Sequence, residues 1–239
     1  MSQRLRVYFG VGACIAVLVA CRGPDDPSLD PIEPYDPLSL VDPFIATGGL
    51  AAEIASVSPG ASRPFGMTLV GPDTRQSFGA PGFYHCAGYY YEDTHIDGFS
   101  HLHAHGMGVT EYGGVLVMPR AVWEDAFSSD AGRTAPFDHA EEWASPGTYA
   151  VTLQDDGTEV EIAATERGAV HRYRFAAGLE GPVVLVDLGH ALGDNTVAES
   201  SIEIDVGAGV LEGYQRLLGS YSGRYDGVRT WFSATVDPT

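Results

Sequence analysis

The sequence contains no lysine. All thirteen of its basic residues are arginine, set against thirty-two Asp and Glu, and the formal charge is −19. A surface this acidic repels phosphate backbones and anionic headgroups, which excludes nucleic acid as an expected partner and charge as a route to the membrane. Cysteine is scarce, with Cys14, Cys21 and Cys86 alone. There is no Gly-x-Ser-x-Gly elbow, no Cys-x-x-Cys pair and no phosphate-binding Gly loop ahead of a helix. Helical periodicity longer than two turns is missing outside the first twenty residues.

What is present begins at the N-terminus. Arg4 and Arg6 precede an uncharged run from Val7 to Ala20, fourteen residues long. That suits the hydrophobic region of a signal peptide and is short for a membrane-spanning helix. The run ends Leu18-Val19-Ala20-Cys21, which resembles the bacterial lipobox. Residues 1–20 are therefore read as a lipoprotein signal peptide and Cys21 as the lipidated residue. An uncleaved anchor and ordinary secretion with cleavage near Ala20 are the alternatives. Cys14 leaves with the signal, so Cys86 has no intrachain partner in the mature chain. Loss of residues 1–20 removes two Arg and no acid, taking the charge from −19 to about −21.

Residues 21–40 hold Pro24, Pro27, Pro31, Pro34 and Pro37, interleaved with Asp25, Asp26, Asp30, Glu33 and Asp36. Proline blocks helix and ladder bonding and the acids repel one another, so an extended tether is expected. Residues 41–239 make one domain, long enough to bury a core. They read as all-β. Runs at Thr148–Leu153, Glu159–Thr165, Val170–Phe175 and Val183–Leu188 alternate or are rich in β-branched residues. Ser201–Val206, Val210–Leu217 and Arg229–Val236 continue the series. Asp155-Asp156-Gly157 has the chemistry of a tight hairpin turn. Regularly spaced strands predict a β-sandwich or barrel. Ala51–Ser56 is ambiguous, and Asp138–Trp143 is read as a turn of helix.

The stretch from Val41 to Met118 carries five of the eight histidines and most of the clustered aromatics. His101, His103 and His105 would share one face of a regular strand, where they could ligate zinc or copper with Asp97 or Glu111 as a fourth ligand. Buried hydrogen-bonded histidines, or a strand broken at Gly106 and Gly108, are the plainer readings. Phe83, Tyr84, Tyr89, Tyr90 and Tyr91 could stack on sugar rings, with Arg75, Asp73, Glu92 and Asp97 meeting hydroxyls; a partly buried strand is the alternative. An inverting glycosidase needs two carboxyls roughly 6.5–9.5 Å apart. Glu92, Asp93 and Glu111 lie in the interesting region, but spacing identifies no pair. Glu141 and Glu142 are read as a solvated face. Asp187-Leu188-Gly189-His190, at a strand end, could supply a catalytic Asp and His, with bonding to backbone at the turn as the plainer reading.

Taken in order, several segments resemble one family. They are Val41-Asp42-Pro43-Phe44-Ile45-Ala46-Thr47-Gly48-Gly49, Pro59-Gly60-Ala61-Ser62-Arg63-Pro64-Phe65-Gly66-Met67 and Pro72-Asp73-Thr74-Arg75. Next come Cys86-Ala87-Gly88-Tyr89-Tyr90-Tyr91, Gly98-Phe99-Ser100-His101-Leu102-His103 and Ala144-Ser145-Pro146-Gly147. Thr165-Glu166-Arg167, His171-Arg172-Tyr173, Asp187-Leu188-Gly189-His190 and Gly219-Ser220-Tyr221-Ser222-Gly223-Arg224 complete the series. In this order they resemble the N-terminal domain of glycoside hydrolase family 92, the exo-acting α-mannosidases.

The resemblance implies a β-sandwich followed by a helical (α/α)6 domain, which this chain lacks. That missing domain would carry the general acid, the general base and most of a Ca2+ site, so no catalytic or metal residue is assigned here. The resemblance implies terminal α-mannosides as substrate and a sugar-contacting wall that includes Arg75, Phe83, Cys86, His101 and His103. Phe83 stands where the family often has Trp, and His105 falls outside the shared pattern. Val236-Asp237-Pro238-Thr239 is read as a cut rather than a natural end. The resulting expectation is the accessory half of a lipid-anchored α-mannosidase in the bacterial cell envelope. A free-standing carbohydrate-binding lipoprotein and a His-ligated metal protein are its rivals.

Overall fold

The computed structural model describes residues 36–49, 56–64, 66–75 and 82–237, with the side chains of Arg75 and Phe83 not among them. Cys21, the tether as far as residue 35, and residues 51–55 lie outside the described residues. The chain divides into Met1–Ser39 and Leu40–Thr239. Pro37–Leu40 forms a single 3-10 turn.

The described strands run β1 (Ala61–Ser62), β2 (Leu69–Arg75), β3 (His95–His103), β4 (Tyr112–Arg120), β5 (Ala135–Pro136), β6 (Glu142–Ser145) and β7 (Thr148–Leu153). They continue with β8 (Thr158–Ala164), β9 (Ala169–Arg174), β10 (Val183–Asp187), β11 (Thr196–Asp205), β12 (Val210–Leu218) and β13 (Val228–Thr235). The first sheet is ordered β1-β2-β3-β4-β10, with β5 paired to the start of β3. The second is β6-β7-β8-β9 and the third β11-β12-β13. All the paired strands are antiparallel. The all-β expectation holds, and the late strands lie within a residue or two of their predicted bounds, except that β11 starts at Thr196.

The first two sheets face one another across a shared core. Val70, Ile96, Phe99, Leu116 and Met118 come from one side. Tyr149, Val151, Leu153, Val160 and Ile162 come from the other. Period-two alternation explains the selection: in β7 and β8 one residue in two is buried, while Glu159 and Glu161 point outward and pair with Arg174 and Arg172 across the ladder. Each large side chain so buried contributes roughly 1.5–3 kcal/mol. The predicted Asp-Asp-Gly turn joins β7 to β8, with Gly157 at φ 70°. Arg120, at the end of β4, reaches its Asp155 at 2.5 Å.

The third sheet is attached by side chains. Gln215 of β12 is buried, accepts from the Val115 amide at 3.0 Å, and donates to the Leu188 and His190 carbonyls at 3.1 and 2.8 Å. Glu111 is also buried. It accepts from the amides of Tyr221 and Ser222 and from the Ser222 hydroxyl, closing the 3-10 turn Ser222–Tyr225 against the body. Among the described residues no helix is long and apolar enough to cross a membrane.

Candidate functional site

The segment from Gly82 to Tyr91 crosses the end of β2 and β3 and is fixed by two buried carboxylates. Asp73 is the first. Its Oδ1 lies 2.7 Å from His103 Nε2 and its Oδ2 lies 2.7 Å from His190 Nε2. His103 is also 3.0 Å from the Ser100 hydroxyl. Burial alone would raise the Asp73 pKa, but the charges and hydrogen bonds of His103 and His190 outweigh it and hold it at about 2. The same pairing raises His190 against its burial. Gly88 passes directly over this group with φ +84°, and a Cβ there would overlap Asp73 Oδ1 and His103 Nε2. Only glycine satisfies both the angle and the approach.

Asp93 is the second carboxylate. Its Oδ2 accepts from the Thr74 hydroxyl at 2.7 Å and lies 2.6 Å from His85 Nε2. Thr74 in turn accepts from the Tyr90 amide at 2.9 Å, and its own amide donates to the Gly88 carbonyl at 2.8 Å. His85 closes the 3-10 turn Gly82–His85 that carries Phe83, and Thr74 immediately precedes Arg75 on β2. One carboxylate therefore ties together the two backbone positions nominated for sugar contact.

Beside this segment lies a cleft of about 540 Å³, lined in part by Phe44, Tyr91, Glu92, His139 and Glu142. The Tyr91 and His139 rings stack 3.9 Å apart and nearly parallel. His139 Nδ1 is 2.6 Å from Glu142, and its Nε2 contacts the Tyr91 carbonyl. Glu142 also accepts from the hydroxyls of Tyr89 at 3.0 Å and Tyr149 at 2.7 Å. Burial first, and then the Glu142 charge, push both phenols far above their ordinary pKa. The loop from Asp42 to Gly49 is held over the cleft by Tyr91 amide to Thr47 carbonyl and by Gly49 amide to Glu92, at 3.1 and 2.9 Å.

Several sequence readings change here. Glu142 is no solvated residue: its side chain is 1 % exposed. Asp138–Trp143 is only a short 3-10 turn, His139–Glu141, before β6 begins. The three histidines do not converge. Leu102, between His101 and His103, has φ +64°, which breaks the alternation of a regular strand. His103 turns to Asp73, while His101 Nδ1 bonds to the Val115 carbonyl at 2.7 Å and its Nε2 meets His171 at 3.2 Å. His105 lies beyond β3, where it meets the Ser58 amide at 3.4 Å. The proposed fourth ligand, Glu111, is committed to Tyr221 and Ser222. No group of three or more His, Cys, Asp or Glu among the described residues could hold a metal ion.

A calcium ion takes six to eight oxygens, and the buried Asp73, Asp93, Glu111 and Glu142 all accept hydrogen bonds from this chain. Among the described residues the donor set does not fit a resident calcium.

Of the nominated residues, Cys86 and His103 are buried and His101 is half-buried. The side chains of Arg75 and Phe83 lie outside the described residues. Two partnerships escaped the sequence reading. His190, read as a catalytic or a turn residue, reaches Asp73 across 117 positions of sequence. Glu142 meets Tyr89 across 53 positions. The Asp-Leu-Gly-His segment flagged His190, but nothing local indicated its partner.

Comparison with known proteins gives one consistent result. Residues 40–239 match the family described as the glycosyl hydrolase family 92 N-terminal domain. A family GH92 alpha-mannosidase from Bacteroides thetaiotaomicron, solved in complex with mannoimidazole, superposes with a TM-score of 0.72 at 27 % identity. The match covers 83 % of this chain and 25 % of that one. A second structure, a family GH92 inverting mannosidase from the same organism, gives 0.57 at 28 % identity over 73 % of this chain and 21 % of its own. An uncharacterized secreted glycosidase of Arthroderma benhamiae is 29 % identical over 163 residues, which is 64 % of this chain and 20 % of the relative. The chain thus spans a fifth to a quarter of the length of these relatives.

Proposed function

Since the chain belongs to glycosyl hydrolase family 92, whose N-terminal domain its residues 40–239 match, we propose that it is the sugar-contacting β-sandwich of an exported α-mannosidase-like hydrolase. The general acid and general base of that enzyme would lie outside the sandwich, in the helical domain that the family resemblance implies. The observation that carries the reading is the buried Asp93, which ties the strand of Arg75 to the turn of Phe83 through Thr74 and His85. A guanidinium and an aromatic face on those two backbone positions would bind and orient a pyranose: the ring stacks on the C–H face while the guanidinium donates to hydroxyls.

The sandwich excludes water from one side of the sugar and leaves the other open to the catalytic groups. Its own buried carboxylates are occupied in holding the fold. Cys86 and His103 contribute from beneath, by placing the Gly82–Tyr91 segment. Export rests on the leader-like residues 1–20 and is in keeping with a relative named a secreted glycosidase. Lipidation at Cys21 fits the same address.

Titration of the chain with methyl α-mannoside, followed by NMR, tests the reading. Arg75→Ala and Phe83→Ala should each weaken binding about three- to tenfold, as expected for a lost hydrogen bond or stacking face. Unchanged affinity in both variants would remove these residues from the wall.

A further inference from the structure

We propose that His85 is a further hydroxyl-binding residue of this wall, with Asp93 as the positioning residue that sets its tautomer; the assignment rests on the sugar-contacting reading above. His85 lies on the same 3-10 turn as Phe83, two residues on. Its side chain is 19 % exposed, whereas that of Asp93 is wholly buried. The 2.6 Å contact joins His85 Nε2 to Asp93 Oδ2, an acceptor that already receives the Thr74 hydroxyl. The proton therefore sits on Nε2 and Nδ1 is left as an acceptor. No bond to Nδ1 exists among the described residues.

The ring cannot turn away to satisfy that nitrogen. It packs edge-on against Tyr90 at 5.8 Å, and Tyr90 is itself covered by Tyr84 at 5.0 Å. The His85 carbonyl accepts from the Gly88 amide at 2.9 Å, which fixes the end of the turn. A partly exposed imidazole with one nitrogen anchored, its ring packed against Tyr90 and its other nitrogen unbonded among the described residues is equipped to accept one hydrogen bond from a ligand hydroxyl. A polyol such as a pyranose offers such donors, and the guanidinium of Arg75, a donor only, complements it.

Asp93 Oδ1, by contrast, is buried without a partner. A half-satisfied buried carboxylate costs stability. That cost is understandable where the carboxylate serves to orient a neighbour.

The test uses the chain with methyl α-mannoside as probe. Ring-nitrogen NMR should show His85 protonated at Nε2 in the free chain, and a shift at Nδ1 on titration. His85→Phe preserves ring volume and should weaken binding about three- to tenfold with little change in melting temperature. Asp93→Asn should weaken binding as well, and additionally abolish the single-tautomer signature. A free-chain proton on Nδ1 would overturn the proposal. So would undiminished affinity in His85→Phe while Arg75→Ala and Phe83→Ala still weaken binding; the wall would then stand without His85. Absence of binding by the unsubstituted chain would overturn the wall and this assignment together.

Discussion

Gly88 and Asp73 form a tightly constrained pair of positions. At Gly88 the backbone sits at φ +84° with no room above Asp73 and His103. Gly88→Ala should cost about 3 kcal/mol or more, from backbone strain and overlap together. Asp73→Ala leaves two buried histidines without their acceptor and should cost about 3–5 kcal/mol. Denaturant unfolding measures both, and the two losses should not add, because each change disrupts the same contact. Asp73 also sets an acid limit. Its folded pKa of about 2 lies below its ordinary 3.8, so its stabilisation is complete above 3.8 and is lost as pH falls toward 2.

Among the elements, β3 and β9 are joined by a directional relay between the first two sheets. Tyr173 donates to His171 Nδ1 at 2.9 Å, His171 Nε2 donates to His101 Nε2, and His101 Nδ1 donates to the Val115 carbonyl. Each ring is neutral with a defined tautomer. Burial, and then the neighbouring His101, lower the His171 pKa to about 3. Burial likewise leads the lowering at His101, with His103 adding to it and Asp73 opposing it.

Between pH 6.5 and 3 the unfolded chain binds a proton at His171 that the folded chain refuses. Stability is therefore full above 6.5 and declines as pH falls, by at most about 1.4 kcal/mol per unit. His171→Gln should flatten the stability profile between pH 6.5 and 4, a window above the one set by Asp73. A profile as steep as that of the unsubstituted chain would show that the relay carries no such linkage.

The late strands were legible because alternation and the Asp-Asp-Gly turn act locally. The region holding the site was not. Leu102, Tyr112 and Val115 take positive φ without being glycine, so period-two reasoning fails at the points where the site is shaped. Convergence of three histidines on one metal fails for that reason, and the plainer reading of buried, hydrogen-bonded rings holds for His101 and His103. The residues that replaced it, His190 against Asp73 and His171 against His101, are paired by topology rather than by spacing.

At the scale of the whole molecule, the family likeness reaches along nearly all of this chain but only about a quarter of a solved relative. The buried carboxylates Asp73, Asp93, Glu111 and Glu142 hold turns, tyrosines and histidines, and no pair is assigned to the two faces of a glycosidic bond. The chain alone should release no aryl alcohol from an aryl α-mannoside above the uncatalysed rate, with or without added calcium. Turnover by the isolated chain would relocate the acid and base into the sandwich.

Cys86 adds a property of another kind. It is buried at the root of the Gly82–Tyr91 segment, and burial raises its pKa despite a hydrogen bond with Ser56. A thiol so placed is slow to ionise and shielded from reagents, so it reacts only as often as its surroundings part. The sulfur of the Gly82–Tyr91 segment is thus a chemical clock, whose rate counts the openings of that segment against the body of the sandwich.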